Sequence, residues 1–139
     1  MKTIKSLSLA IILLFISVAA CYAQDHKHKA AHGGQVLEAD GYHIEMVTAA
    51  NTLSFYLMDD KEKTLSNKGV SGNATFDFFN GPKVTAELKP ATKNALTVAK
   101  PENVFTYCTV SISVKGKNIS AKFKNEDVTQ EDIDHGHQH

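Results

Sequence analysis

The feature that most constrains the fold is a series of short segments in which apolar and polar residues alternate, separated by turn residues. After residue 23, no segment carries the sustained 3.6-residue apolar period of an amphipathic helix. Asp40-Gly41, Asn80-Gly81-Pro82 and Gly116-Lys117 each lie between two alternating segments, a position typical of β-hairpin turns. The sequence therefore predicts an all-β protein.

The register of the first hairpin follows from its turn. With Asp40-Gly41 as a two-residue turn, Ala39 pairs with Tyr42. The apolar side chains then share one face, which we expect to face the core, and the polar ones share a face that we expect to be wet. The two sets are Leu37, Tyr42, Ile44 and Met46, and Glu38, His43 and Glu45.

Two later hairpins follow from the same reasoning. A three-residue loop at Asn80-Gly81-Pro82 pairs Phe78 with Val84, and a type II′ turn at Gly116-Lys117 pairs Val114 with Ile119. About eight short strands result, a number typical of a small antiparallel sandwich, immunoglobulin-like in size and pattern. A closed β-barrel is the alternative. An even number of strands predicts that the chain enters and leaves the domain at the same end.

The first residues resemble a signal peptide. Lys2 and Lys5 precede an apolar run over residues 7–16, which is shorter than the roughly 20 residues of a transmembrane helix. We favour cleavage after Ala23, which predicts a periplasmic or secreted protein. The alternative is a lipoprotein anchored through Cys21, because residues 18–21 resemble a lipobox.

Composition divides the chain and excludes one class of partner. We predict a signal peptide at 1–23, a flexible His-rich segment at 24–33, a β-sandwich at 34–124 and a disordered acidic, His-rich tail at 125–139.

All 15 basic residues are lysines. Without Lys2 and Lys5, the remaining 13 lysines are balanced against 15 acidic residues. Because arginine supplies the bidentate fork of nucleic-acid readers, no nucleic-acid partner is expected.

Six of the seven histidines lie in the two predicted flexible segments: His26, His28 and His32, then His135, His137 and His139. Imidazole is the commonest side-chain ligand of transition metals, so these tracts predict binding of copper or zinc, or else nickel or cobalt. The alternative is that both tracts are solvated spacers. If they bind metal, replacing all six histidines should remove most capacity and leave the thermal melt nearly unchanged.

The other candidate ligands lie inside predicted strands. His43 could form a shallow mixed nitrogen and oxygen site with Glu38 and Glu45, although a cross-strand His–Glu pair is also a routine surface contact. Met46 could ligate Cu(I) but lies on the predicted core face, and Met58 is a second possible Cu(I) ligand. Cys108 alternates with apolar residues, so we expect a buried thiol.

Three motifs in order resemble a known family: His32-Gly33-Gly34, then residues 41–47 (GYHIEMV), then residues 56–59 (YLMD). They are similar to the small accessory β-domain near the N-terminus of periplasmic adaptor subunits of RND-type heavy-metal efflux pumps. The resemblance covers about residues 30–125 and implies a module that handles copper, zinc, cobalt or nickel. The chain lacks the adaptor's coiled-coil, lipoyl and barrel regions, which implies a free-standing protein with an efflux-pump adaptor as a possible partner.

We therefore expect a periplasmic or secreted metal-binding protein, a buffer or chaperone that could support heavy-metal efflux. The alternative is a non-catalytic binding or adhesion module whose His-rich tails are spacers. An enzyme is not expected, because the chain contains no Gly-x-Ser-x-Gly, His-Glu-x-x-His or phosphate-loop motif.

Overall fold

A computed structural model describes residues 30–135, which form an antiparallel β-sandwich of two sheets. This confirms the predicted all-β sandwich over the closed barrel. The strands are β1 (Gln35–Ala39), β2 (Tyr42–Thr48), β3 (Thr52–Met58), β4 (Ser71–Phe78), β5 (Val84–Glu87), β6 (Lys89–Pro90), β7 (Leu96–Ala99), β8 (Phe105–Val114) and β9 (Lys117–Lys124), and one helix, α1 (Gln130–His135), follows.

One sheet has the order β1-β2-β3-β7-β6 and the other has the order β5-β4-β8-β9. The described chain thus has nine strands where about eight are predicted. The additional strand arises because one pass of the chain contributes to both sheets: β5 belongs to the second sheet, and β6, which follows it directly, belongs to the first. The Leu88 amide donates to the Gly72 carbonyl (2.9 Å) between β5 and β6, and its side chain is buried in the core.

The register of the first hairpin is confirmed: Ala39 pairs with Tyr42 and Leu37 with Ile44. Asp40 and Gly41 have φ values of 49° and 82°, as a type I′ turn requires. That turn twists with the strands it joins. With this register, the apolar face of β2 lies toward the second sheet.

The predicted register of the last hairpin is wrong by two residues. Val114 pairs with Lys117 rather than with Ile119, and the turn is Lys115-Gly116. Both turn residues have positive φ, 49° and 76°, so this turn is also type I′. Because side chains alternate with a period of two, the shift leaves every residue on its predicted face.

The second hairpin also differs from its prediction. Phe76, not Phe78, pairs with Val84, and Phe78 pairs with Phe105 across a bulge that follows Asp77. The Asp77 carboxylate lies 3.2 Å from the Lys83 ammonium across this longer connection. The two-residue shift again preserves the faces.

The inner faces of both sheets form one hydrophobic core. Phe76 and Phe105 meet edge to face, with ring centroids 5.2 Å apart. Met46 lies in this core, as does Cys108, the buried thiol that the sequence predicts. Burial, assisted by Asp77, raises the pKa of the Cys108 thiol to about 12. The group is therefore protonated at neutral pH and has little of the thiolate character that metals and electrophiles require.

The described chain enters and leaves the sandwich at the same end, as predicted, because β5 and β6 form a single pass and the nine strands therefore make eight passes. The Gln35 side-chain amide at the start of β1 donates to the Lys124 carbonyl at the end of β9 (3.1 Å). At the other end of these strands, the Lys117 ammonium donates to the Asp40 carbonyl (3.3 Å). The two terminal strands thus run side by side.

The fold continues beyond residue 124, where the sequence predicts a disordered tail. The Asn125 side-chain amide donates to the Phe105 carbonyl (2.9 Å), and Val128 is buried. The six-residue α1 follows. Within residues 30–135, no helix has the length and apolar character needed to cross a membrane.

The type I′ turn at Lys115-Gly116 gives a stability test, because its first residue is a lysine with positive φ. Lys115→Asn should raise the free energy of unfolding by about 0.5–1 kcal/mol and the melting temperature by a few degrees, because asparagine tolerates positive φ better than lysine. Thermal and urea melts measure the change. Lys68→Asn, at an exposed residue without positive φ, is the control. Equal melts for Lys115→Asn and the wild type would contradict the turn assignment.

Candidate functional site

The outer face of β2 is buried, although its alternation predicts a wet face. Glu45 is fully buried and His43 is 6% exposed. The prediction is wrong because two chain segments fold against this face. Residues 30–34, which we call the clasp, precede β1 and bind Glu45, and Asp59, directly after β3, contacts His43.

Glu45 is the centre of the clasp. The His32 backbone amide donates to both carboxylate oxygens, at 2.9 Å to Oε1 and 3.1 Å to Oε2. The Gly34 amide donates to Oε1 (3.0 Å), and the His32 ring nitrogen Nδ1 lies 2.5 Å from Oε2. A buried carboxylate is costly unless it is paired and hydrogen-bonded, and these contacts meet that requirement. The clasp is therefore part of the folded domain.

Tyr56 positions the imidazole from the other side. It lies opposite Glu45 in the β2–β3 register. The His32 and Tyr56 rings stack with centroids 3.6 Å apart and an angle of 4° between their planes. The ring of His32 is therefore held by a hydrogen bond along its edge and by an aromatic face.

The two glycines of His32-Gly33-Gly34 have separate roles. Gly33 has a φ of 78°, a conformation that side chains disfavour, but the space around it is open. A Cβ on Gly34 would lie 2.2 Å from the Met46 carbonyl oxygen. The first glycine therefore makes the bend, and the second allows the clasp to approach β2 closely enough to reach Glu45.

One part of the His32 ring stays accessible. Its side chain is 28% exposed. Nδ1 contacts Glu45, and no residue in the described part of the chain forms a hydrogen bond with Nε2. The site thus presents one ring nitrogen of an immobilised imidazole to solvent.

His43 is held differently. Its Nδ1 lies 3.0 Å from the Asp59 carbonyl oxygen, which can only accept, so Nδ1 is the donor. It lies opposite Met58, which is fully buried. The predicted site of Glu38, His43 and Glu45 does not form, since Glu38 is exposed and Glu45 is bound by the clasp. Among residues 30–135, no three His, Cys, Asp or Glu residues are arranged to hold a metal ion.

The remaining candidates belong to the two termini. His135 is the last residue of α1 and is exposed. His26, His28, His137 and His139, like the predicted signal peptide at residues 1–23, lie outside the described residues. His32 is thus the single member of the N-terminal tract that the structure describes, and it belongs to the domain rather than to a flexible segment. We therefore no longer expect its replacement to leave the thermal melt unchanged.

No protein-family model matches the chain, and comparisons with curated proteins and with solved structures find no match either. The arrangement around His32 and Glu45 is therefore the basis for a functional proposal. Alternation alone could not reveal this arrangement. The one signal in the sequence is the glycine pair next to a histidine just before the first strand.

The two glycines should respond differently to alanine. Gly33→Ala should cost about 1 kcal/mol of unfolding free energy through backbone strain. Gly34→Ala should cost about 3 kcal/mol or more, because displacing the clasp leaves the buried carboxylate without partners. Urea unfolding measures both. Gly69→Ala, which shares positive φ and open space but lies outside the clasp, is the control for strain. A loss for Gly34→Ala no larger than that for Gly69→Ala would contradict the role of the clasp.

Proposed function

We propose that this protein binds transition-metal ions outside the cytoplasm, with His32 as a ligand fixed by the domain. The observation that supports this is the contact of His32 Nδ1 with the buried Glu45 carboxylate. Metal-binding imidazoles commonly have their second nitrogen hydrogen-bonded to a carboxylate in this way. The other nitrogen, Nε2, is then the coordinating atom.

One imidazole does not hold a metal ion tightly, so further ligands are required. His28 and His26 precede His32 by four and six residues, and covalent connectivity keeps them within about 14 and 20 Å of it. The last strand, β9, ends beside Gln35, at the end of the sandwich where β1 begins. The C-terminal histidines come after this strand in the sequence: His135, His137 and His139. We propose that these histidines complete the coordination around the fixed ligand.

Imidazole suits copper, zinc, nickel and cobalt, and Cu²⁺ should bind tightest in solution by the general order of affinities. Sites of this kind fit a buffer or a chaperone that passes ions on. The signal-like first segment supports a periplasmic or secreted location. The resemblance of the His-Gly-Gly and GYHIEMV motifs supports a link to heavy-metal efflux, with an efflux-pump adaptor as the possible partner. We do not propose Cys108 as a nucleophile, since its thiol is buried and protonated.

A non-catalytic binding or adhesion module is the second candidate. The outer face of the second sheet supports it, because this face forms a shallow groove lined by hydroxyl, amide and carboxylate groups that include Asn73, Glu87 and Asn118. Under this alternative the histidines are spacers. Metal titration separates the two candidates.

The titration compares three forms of the chain that begins at Gln24. The wild type should bind Cu²⁺ and Zn²⁺, and binding should weaken below about pH 6 because imidazole must be neutral to ligate. Replacing the other five histidines of the tracts by alanine should remove most capacity. Adding His32→Asn, which can still donate to Glu45 but has no counterpart of Nε2, should remove the remainder. Equal binding by the wild type and the six-fold variant would contradict metal binding through these histidines and favour the adhesion module.

A further inference from the structure

We infer that Glu45 is a positioning residue that holds His32 in the Nδ1–H tautomer and so directs a metal ion to Nε2. This inference rests on the proposed metal-binding function and adds a residue that does not touch the metal. Glu45 would act through the clasp. It would set both the orientation and the protonated nitrogen of the ligand.

The hydrogen bonds around the carboxylate carry the argument. Both oxygens of Glu45 already accept from a backbone amide, and a backbone amide can only donate. An ionised carboxylate has no proton to give, so a third group that approaches it must be a donor. His32 Nδ1 approaches Oε2 at 2.5 Å, and a lone pair at that distance would be repelled. The proton of the neutral imidazole therefore belongs on Nδ1.

Burial and ring stacking support this assignment. Glu45 is fully buried, so water does not replace a donor that is lost. The imidazole cannot easily turn its ring over, because stacking on Tyr56 restricts it. In the Nε2–H tautomer, the lone pair of Nδ1 would face the carboxylate. Nδ1 would then have no donor to accept from. The coordinating nitrogen is thus selected before any metal arrives.

Two consequences follow for metal binding. A ligand held in one orientation loses little conformational freedom when the ion binds, whereas an unrestrained side chain must be ordered at that step. A hydrogen bond from Nδ1–H to a carboxylate also makes Nε2 a better electron donor to the metal. Removing such an outer partner commonly weakens metal affinity by about 10- to 100-fold. We expect a loss in this range for Glu45.

The tautomer can be measured on the wild-type chain without any substitution. In ¹⁵N-labelled protein near pH 8, long-range ¹H–¹⁵N correlations of the histidine rings report which nitrogen carries the proton. His32 should show protonated Nδ1 and unprotonated Nε2, and added Zn²⁺ should shift Nε2. The His32→Asn spectrum, which lacks this ring, assigns the signals. A protonated Nε2 in the neutral ring, or coordination through Nδ1, would overturn the inference.

Zn²⁺ affinity tests the role of Glu45 directly. Glu45→Gln keeps the size of the side chain, removes one acceptor and should weaken Zn²⁺ binding by about 10- to 100-fold. Glu38→Gln, on the neighbouring strand and exposed, should leave binding unchanged. Far-ultraviolet circular dichroism shows whether each variant folds, and if Glu45→Gln does not, the wild-type tautomer decides alone.

The outcomes separate the two proposals. A folded Glu45→Gln variant with unchanged affinity would overturn the positioning role and leave the metal-binding proposal standing. A wild-type chain that binds no Zn²⁺ or Cu²⁺ would overturn both. A loss in Glu45→Gln, with none in Glu38→Gln and with Nδ1 protonated, would support both.

Discussion

The burial of one carboxylate determines how the start of this domain folds. Glu45 lies on β2 between two other strands of its sheet, where an unpaired charge would cost several kcal/mol. Two backbone amides and an imidazole from residues 32–34 pair it. The clasp therefore cannot leave without exposing or stranding that charge. The close approach at Gly34 and the stacking of His32 on Tyr56 both follow from this requirement.

The same interaction gives His32 a structural role and a chemical one. Its backbone amide and Nδ1 satisfy Glu45, while Nε2 faces solvent on a ring that cannot easily rotate. One ring nitrogen of His32 is thus used by the fold, and the other forms no hydrogen bond within residues 30–135. This is why we propose it as the fixed ligand of a site whose other members come from the termini.

Much of the fold could be predicted from the alternation and the turns, but two registers could not. Asp40-Gly41 leaves one position for a two-residue turn, so the first register is right. Gly116 fits either the second position of a type I′ turn or the first of a type II′ turn. Both choices keep the same faces, so the apolar pattern cannot decide between them. Similarly, the bulge after Asp77 depends on contacts with β8, which sequence spacing does not encode.

The all-β class, the core faces of the strands, the buried thiol at Cys108 and the six histidines near the termini can all be read from the sequence alone. It did not determine which histidine belongs to the domain. Alternation distinguishes two faces of a strand but does not say which faces other segments cover. Whether Glu45 meets water or the clasp depends on contacts between residues 13 positions apart in the chain. Only the tertiary structure brings His32, Glu45 and Tyr56 together, because the burial of a charge is decided by everything packed around it.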